Sequence, residues 1–235
     1  MNILKVENLT VSLGKNNIVE NIDFEVKKGE VLAIIGPNGA GKTTLFRALL
    51  NLIPYSGSVK WQKNIQLGYV PQRIEIDMDI PLTVEEFLNL RGSNVTKIKI
   101  KKVLEYIQLD EKILKSRLGE ISVGQRQRLL IGWSLLENPD ILLFDEPTAD
   151  VDIHGQESVY KTISHLRKKF NLAVILISHD LNIVYQYADK VMCLNHRSLC
   201  IGKPSEILQT RHLQELYGGE RGFYDHDYSH HNHQH

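Results

Sequence analysis

No apolar run in these 235 residues approaches the roughly 18 to 20 needed to cross a bilayer, so the chain itself is not expected to span one. Its opening, MNILKVENLTVSLG, lacks the basic-then-apolar pattern of a secretory signal. Net charge is missing too, because 28 Lys and Arg balance 28 Asp and Glu. That removes the long-range field that would draw the chain to nucleic acid or to an anionic membrane. Cysteine is scarce: two residues cannot build a disulfide framework, and a reducing compartment is expected. No internal repeat is visible. What is present, 42% hydrophobic and 24% charged residues, suits one sizeable globular domain. The lysine-rich KIKIKK at 97–102 reads as a solvated surface segment in which Ile98 and Ile100 alternate with lysines.

Short β-branched apolar runs alternate with helical patterns, which predicts an α/β fold, a mainly parallel sheet covered by helices. The clearest buried strands are VLAII (31–35), ILLF (141–144) and AVILI (173–177), each leading straight into polar or glycine-rich residues. Ligands of open α/β sheets sit at the carboxyl ends of strands, so chemistry is expected at those three junctions. From about 83 to 137 the pattern is helical. Thr83, with Glu86 three residues on, has capping-box spacing. IKKVLEYIQL follows, and in QRQRLLIGWSLLEN the side chains of Leu129, Leu130, Trp133 and Leu136 share a face until Pro139 ends the run. A helical subdomain inserted between strands is predicted. Residues 221–235 turn polar and are expected to form a disordered tail.

The stretch Gly36, Pro37, Asn38, Gly39, Ala40, Gly41, Lys42, Thr43 matches G-x-x-x-x-G-K-[ST] and lies between the strand VLAII and the apolar-periodic TLFRALLNLI. Glycines let such a backbone curl so that its N–H groups face phosphate oxygens, and the helix N-terminus adds a favourable field. Lys42 would reach the β- and γ-phosphates, and the Thr43 hydroxyl would ligate Mg²⁺. ILLF ends in Asp145, placed to hold Mg²⁺ through water, and Glu146, placed to deprotonate the attacking water. A positioned base is worth roughly 10²- to 10⁴-fold in rate. AVILI ends in Ser178, His179 and Asp180, and a His179 ring N–H could bond the γ-phosphate and the attacking water. Gln72, in GYVPQ after another expected strand, can reach Mg²⁺ or water through its amide. Taken singly, these are a glycine-rich turn, a solvated acidic turn and a structural histidine. Their expected arrival at one sheet edge favours chemistry.

GPNGAGKTT, YVPQ, ISVGQRQR, ILLFDEPTADVD and ISHD occur in the order and approximate spacing of the ATP-binding cassette ATPases, and the chain resembles that family from about residue 3 to 219. The resemblance implies a RecA-like P-loop NTPase core, an N-terminal antiparallel β subdomain and the inserted helical subdomain, all within a domain spanning 1–220. It also implies an ATP hydrolase that works with MgATP, with Thr44 in the nucleotide loop and Glu146 as base. Two copies would clamp two ATP molecules head to tail. Ser122, Gly124 and Gln125 of one copy would then touch the γ-phosphate held by the other, and Asp152 would make the D-loop contact. Two positions depart from the pattern. Val123 stands where the family has a first glycine after the serine, a costly exchange if that position needs positive φ or close phosphate approach. Leu13 stands where an aromatic often stacks on adenine, which keeps apolar contact without the stacking contribution.

With no spanning segment, a transport role requires separate multispanning permease subunits, and the stretch RIEIDMDIPLTVEEFLNLRG after Gln72 would receive them. The chain would then sit peripherally on the cytoplasmic face of a bacterial inner membrane, with a periplasmic or extracellular metal-binding protein as an indirect partner and no nucleic acid. GYVPQR, IPLTVEEFLNLR, EPTADVDIHGQESVY and VMCLNHRSLCIGKP resemble the ATPase subunits of bacterial zinc importers, which implies zinc as cargo. Manganese and iron importers share much of the pattern and are the alternative. A soluble cassette ATPase acting on nucleic acid or ribosomes would typically carry two cassettes or a long coiled coil, and neither is visible. A binding module without catalysis is disfavoured by Glu146 and His179. The closing YDHDYSHHNHQH offers His226, His230, His231, His233 and His235 as candidate zinc ligands, interrupted by other residues as a cloning tag normally is not. Cys193, His196 and Cys200 offer another donor set, but Cys193 alternates with apolar neighbours and packing is the expectation.

Overall fold

In the computed structural model, the described residues are 1–72, 80–92, 94–148, 151 and 153–217. The chain opens with two long strands, β1 (Asn2–Leu13) and β2 (Asn16–Lys27), then β3 (Val31–Ile35) and helix α1 (Lys42–Leu49). β4 (Ser56–Trp61) and β5 (Leu67–Val70) precede a helical stretch of α2 (Val84–Asn89), α3 (Lys97–Tyr106), a 3-10 turn (Glu111–Lys115) and α4 (Val123–Leu135). The rest is β6 (Ile141–Asp145), α5 (Ile153–Phe170), β7 (Ala173–Ile177), α6 (Leu181–Tyr187), β8 (Lys190–Asn195), β9 (Arg197–Gly202), α7 (Pro204–Ile207) and α8 (Thr210–Tyr217). None of the described helices is long and apolar enough to cross a membrane.

Two sheets form. β2-β1-β4 is antiparallel, while β5-β6-β7-β3-β8 is parallel with β9 added antiparallel at the edge. The central strands read as unbroken apolar runs because both faces are covered. Period-2 alternation sends Leu32, Ile34, Ile141, Leu143, Ile175 and Ile177 into one core, shared with α1 and the antiparallel sheet. Leu142, Phe144, Val174 and Leu176 enter a second core with α5 and the helices following β5. Ala33, Ile35, Val191 and Cys193 pack in a third core with α7 and α8.

The helical stretch begins where Thr83 caps α2: its hydroxyl accepts from the Glu86 amide at 3.3 Å, and Glu86 Oε2 accepts from the Thr83 amide at 2.8 Å. KIKIKK is less exposed than expected. It opens α3, where Ile98 is 69% exposed but Ile100, on the inward face, is only 2% exposed. Cys193 is packed in β8 as anticipated, yet it is also disulfide-bonded to Cys200. The hairpin register sets the two directly opposite, with Cα atoms 5.0 Å apart, within reach of a disulfide. His196, at the hairpin turn, does not join them but brings Nδ1 to the Ile18 carbonyl at 3.0 Å.

Ile175 is fully buried at the middle of β7. Ile175→Ala should therefore destabilise the chain by about 2–5 kcal/mol, read from urea unfolding as a lower midpoint at unchanged slope.

Candidate functional site at the carboxyl edge of the sheet

Fully buried β3 ends at Ile35, and the chain turns at once. Gly36 passes so close to β8 that a Cβ would strike the Leu194 carbonyl. Gly41 takes φ +93°, and a Cβ there would lie 2.7 Å from Val19 Cγ2 and 2.8 Å from the Ile18 carbonyl. No side chain caps the start of α1, which leaves its leading amides to a ligand. The buried Lys42 ammonium donates to the carbonyls of Gly36 at 2.8 Å and Pro37 at 2.9 Å. Burial pulls its pKa down, opposed by the charges of Glu146 and Asp145. Asn38, Gly39, Ala40, Gly41, Lys42, Thr43 and Thr44 line a cavity of about 440 Å³ that Ile18, Gln72 and Glu146 complete. At the end of α8, the Tyr217 side chain comes near the Gly36 backbone.

β6 delivers the acidic groups. Asp145, only 4% exposed, accepts a long 3.4 Å hydrogen bond from the Thr43 hydroxyl, and the Tyr69 phenol lies near it. Burial pushes its carboxyl above the ordinary value, with help from Glu146, while the Thr43 bond, Lys42 and Arg47 pull it back. The Tyr69 phenol is pushed up to about 12, first by burial and then by the Asp145 charge. Glu146 adopts φ 48°, the left-handed region that a β-substituted residue occupies at a cost. Its amide donates to the Ile177 carbonyl at 3.1 Å. Its Oε2 accepts from Gln72 Nε2 at 3.2 Å and lies 3.7 Å from His179 Nδ1. Three strand ends and the turn after β5 thus bring hard oxygen and amide donors to one edge. Thr43, Asp145 and Gln72 could hold a cation such as Mg²⁺, which would relieve the burial cost of the Asp145 charge.

The sequence pattern of the ABC transporter family matches residues 19–149. Over 217 residues the chain is 40% identical to the zinc import ATP-binding protein ZnuC of Ehrlichia chaffeensis, covering 92% of this chain and 89% of that one. The chain belongs to the ABC transporter family. Within it, the chain is an ATP-binding subunit, an ATP hydrolase. Its fold is similar to a proposed metal-chelate type ABC transporter in an inward-facing conformation, at 26% identity and a TM-score of 0.83, over 92% of this chain and 88% of that one. It is also similar to cbiO1 of Clostridium perfringens, part of the ABC transporter complex cbiONQ, at 26% identity and a TM-score of 0.79, over 91% and 93% of the two chains.

The cassette carries its other motif residues elsewhere. Ser122 caps α4: its hydroxyl accepts from the Gln125 amide at 3.2 Å, and Gln125 Oε1 accepts from the Ser122 amide at 2.9 Å. Neither these residues nor Gly124 line the cavity of the phosphate loop. Val123 does not meet the positive-φ condition, because it is the first residue of α4 and its φ is not in the positive range. Its side chain is 44% exposed, so any cost must come from crowding what approaches that helix end. Leu13, 60% exposed, ends β1 beside the turn to β2. Asp152, residues 73–79 of the expected permease-facing stretch, and His226, His230, His231, His233 and His235 lie outside the described residues. The sequence reading missed Ile18 and Tyr69. Neither carries a motif; Ile18 reaches the cavity from β2, and Tyr69 is brought near Asp145 by the pairing of β5 with β6.

Because Asp145 sits above its ordinary 3.8 in the folded chain, its contribution to stability is complete below that value and is lost as pH rises through the raised one. Asp145→Asn escapes this loss. Its melting temperature should therefore gain on that of the parent between about pH 4 and about pH 7, as measured by scanning calorimetry across that range.

Proposed function

We propose that the chain is the energy-coupling ATPase of a divalent-metal importer, with zinc as the cargo. The observation that carries the hydrolytic part is the convergence of Lys42, Thr43, Gln72, Asp145, Glu146 and His179 at the carboxyl ends of β3, β5, β6 and β7. The likeness to the Ehrlichia zinc import protein supports the cargo. Two copies act together on the cytoplasmic face of a bacterial inner membrane, held by multispanning permease subunits to which an external metal-binding protein delivers its load.

The amides from Gly36 to Thr44, with Lys42, hold the β- and γ-phosphates. Leu13 and Ile18 give the adenine side apolar contact. Thr43, Asp145 and Gln72 would hold Mg²⁺, which when bound would supply positive charge against that building on the phosphate oxygens. Glu146 accepts a proton from water as that water attacks the γ-phosphorus and the bond to the bridging oxygen of ADP breaks. A ring N–H of His179 donates to the γ-phosphate. Ser122, Gly124 and Gln125 of the second copy close the pocket, and Asp152 makes the contact between copies. Thus closure of the pair precedes hydrolysis, and hydrolysis reopens it.

Glu146→Gln should lower MgATP turnover by about 10²-fold or more and accumulate an ATP-bound dimer on size exclusion. Full turnover in that variant would overturn the assignment of the base. Deletion of the whole gene should abolish zinc uptake while leaving manganese and iron uptake intact.

The tail histidines, His226, His230, His231, His233 and His235, serve as zinc ligands in this reading, four being a usual set. Removing residues 224–235 should leave basal ATPase intact and change its response to zinc. Identical zinc inhibition and uptake profiles would eliminate that role.

A further inference from the structure

Glu146 holds a left-handed backbone conformation, which persists only where its surroundings enforce it. Part of that enforcement comes from α5. Tyr160 is 2% exposed, with its ring stacked on Tyr187 of α6 at 5.7 Å and an interplanar angle of 22°. So deeply buried a phenol must find partners for its hydroxyl. It lies 3.3 Å from the Thr148 hydroxyl, two residues beyond Glu146, and Ser178, immediately before His179, lines the same cavity. Ser178 in turn accepts the Asp180 amide at 3.1 Å. Burial and the nearby Asp180 and Glu146 charges push the phenol pKa up, so it remains an O–H donor at neutral pH. One turn earlier on the same face, Gln156 Nε2 donates to the Val151 carbonyl at 2.9 Å and the Thr148 carbonyl at 3.4 Å. Glu146, Thr148, Gln156, Tyr160, Ser178 and His179 line one cavity of about 410 Å³.

We propose that Tyr160, supported by Gln156, is a positioning residue for ATP hydrolysis: its hydroxyl ties the turn after β6 to α5, while its ring, stacked on Tyr187, ties α5 to the helix that follows β7, keeping Glu146 and His179 at one reacting centre. The inference rests on Glu146 being the base. Among the described residues, the two turns are otherwise joined by the Glu146 amide and by the exposed His179 ring, 67% accessible and 3.7 Å away. Loss of the tie therefore misplaces the base relative to bound nucleotide without touching the phosphate loop, so the effect falls on the chemical step.

Tyr160→Phe in the full-length chain keeps the ring and its stack on Tyr187 and deletes only the O–H. The expected result is a three- to tenfold fall in kcat for MgATP, about what a single buried hydrogen bond commands. KM should stay within about twofold. Thr148→Val should lower kcat similarly, and the double variant should fall no further than the worse single one, since both remove the same bond. Unchanged kcat in Tyr160→Phe, losses that multiply in the double variant, or a loss carried by KM would each overturn the proposal. Glu146→Gln measured alongside separates the two readings. An active Glu146→Gln means that the base is misassigned. An inactive one beside a fully active Tyr160→Phe removes only the role of Tyr160.

Discussion

The parallel pairing of β6 with β7, both buried on their two faces, continues one hydrogen bond past the last regular residue: the Glu146 amide donates to the Ile177 carbonyl at 3.1 Å. That bond holds the chain where apolar burial stops and charge begins. Upstream, the pairing runs through Leu142–Val174, Leu143–Ile175 and Phe144–Leu176, where the hydrophobic effect makes register slippage expensive. Downstream, two turns must leave the same edge side by side, and their side chains can reach one another. The position of Glu146 near His179 follows from sheet packing at least as much as from any polar contact between them.

The edge so formed is electrostatically costly in a deliberate-looking balance. Asp145 is buried and its carboxyl prefers its proton more than a free one would, while Lys42 is buried and gives up its proton more easily. Each is partly compensated by the other across the loop. Neither is compensated enough to be at rest, which is the state in which a multivalent anion accompanied by a hard cation gains most on arrival. An apolar replacement at these positions would make a calmer protein with nothing to offer a phosphate.

The strands that carry the site were legible because double-sided burial leaves a mark that needs no neighbours to interpret. VLAII, ILLF and AVILI are β3, β6 and β7 almost to the residue, and their ends are where the polar groups gather. The start of the helical stretch was legible for a local reason as well, since Thr83 and Glu86 satisfy each other within four residues. What escaped depends on how segments are paired or packed rather than on their own composition. The Cys193–Cys200 pairing needs the hairpin register, which no composition argument supplies. Ile100 needed a helical rather than an alternating reading of KIKIKK, whose periodicity over six residues is ambiguous. Tyr160 looks like one more apolar position on α5, and its hydroxyl acquires meaning only when α5 is laid against the turn after β6.

Tyr217 closes α8 with its side chain against the Gly36 backbone, the first residue of the phosphate loop. A fluorescent reporter or surface-coupling linker attached at the last turn of α8 would therefore sit beside the phosphate loop. Engineered versions are better extended from Met1, which leads into the central strand of the antiparallel sheet and lies 87% exposed.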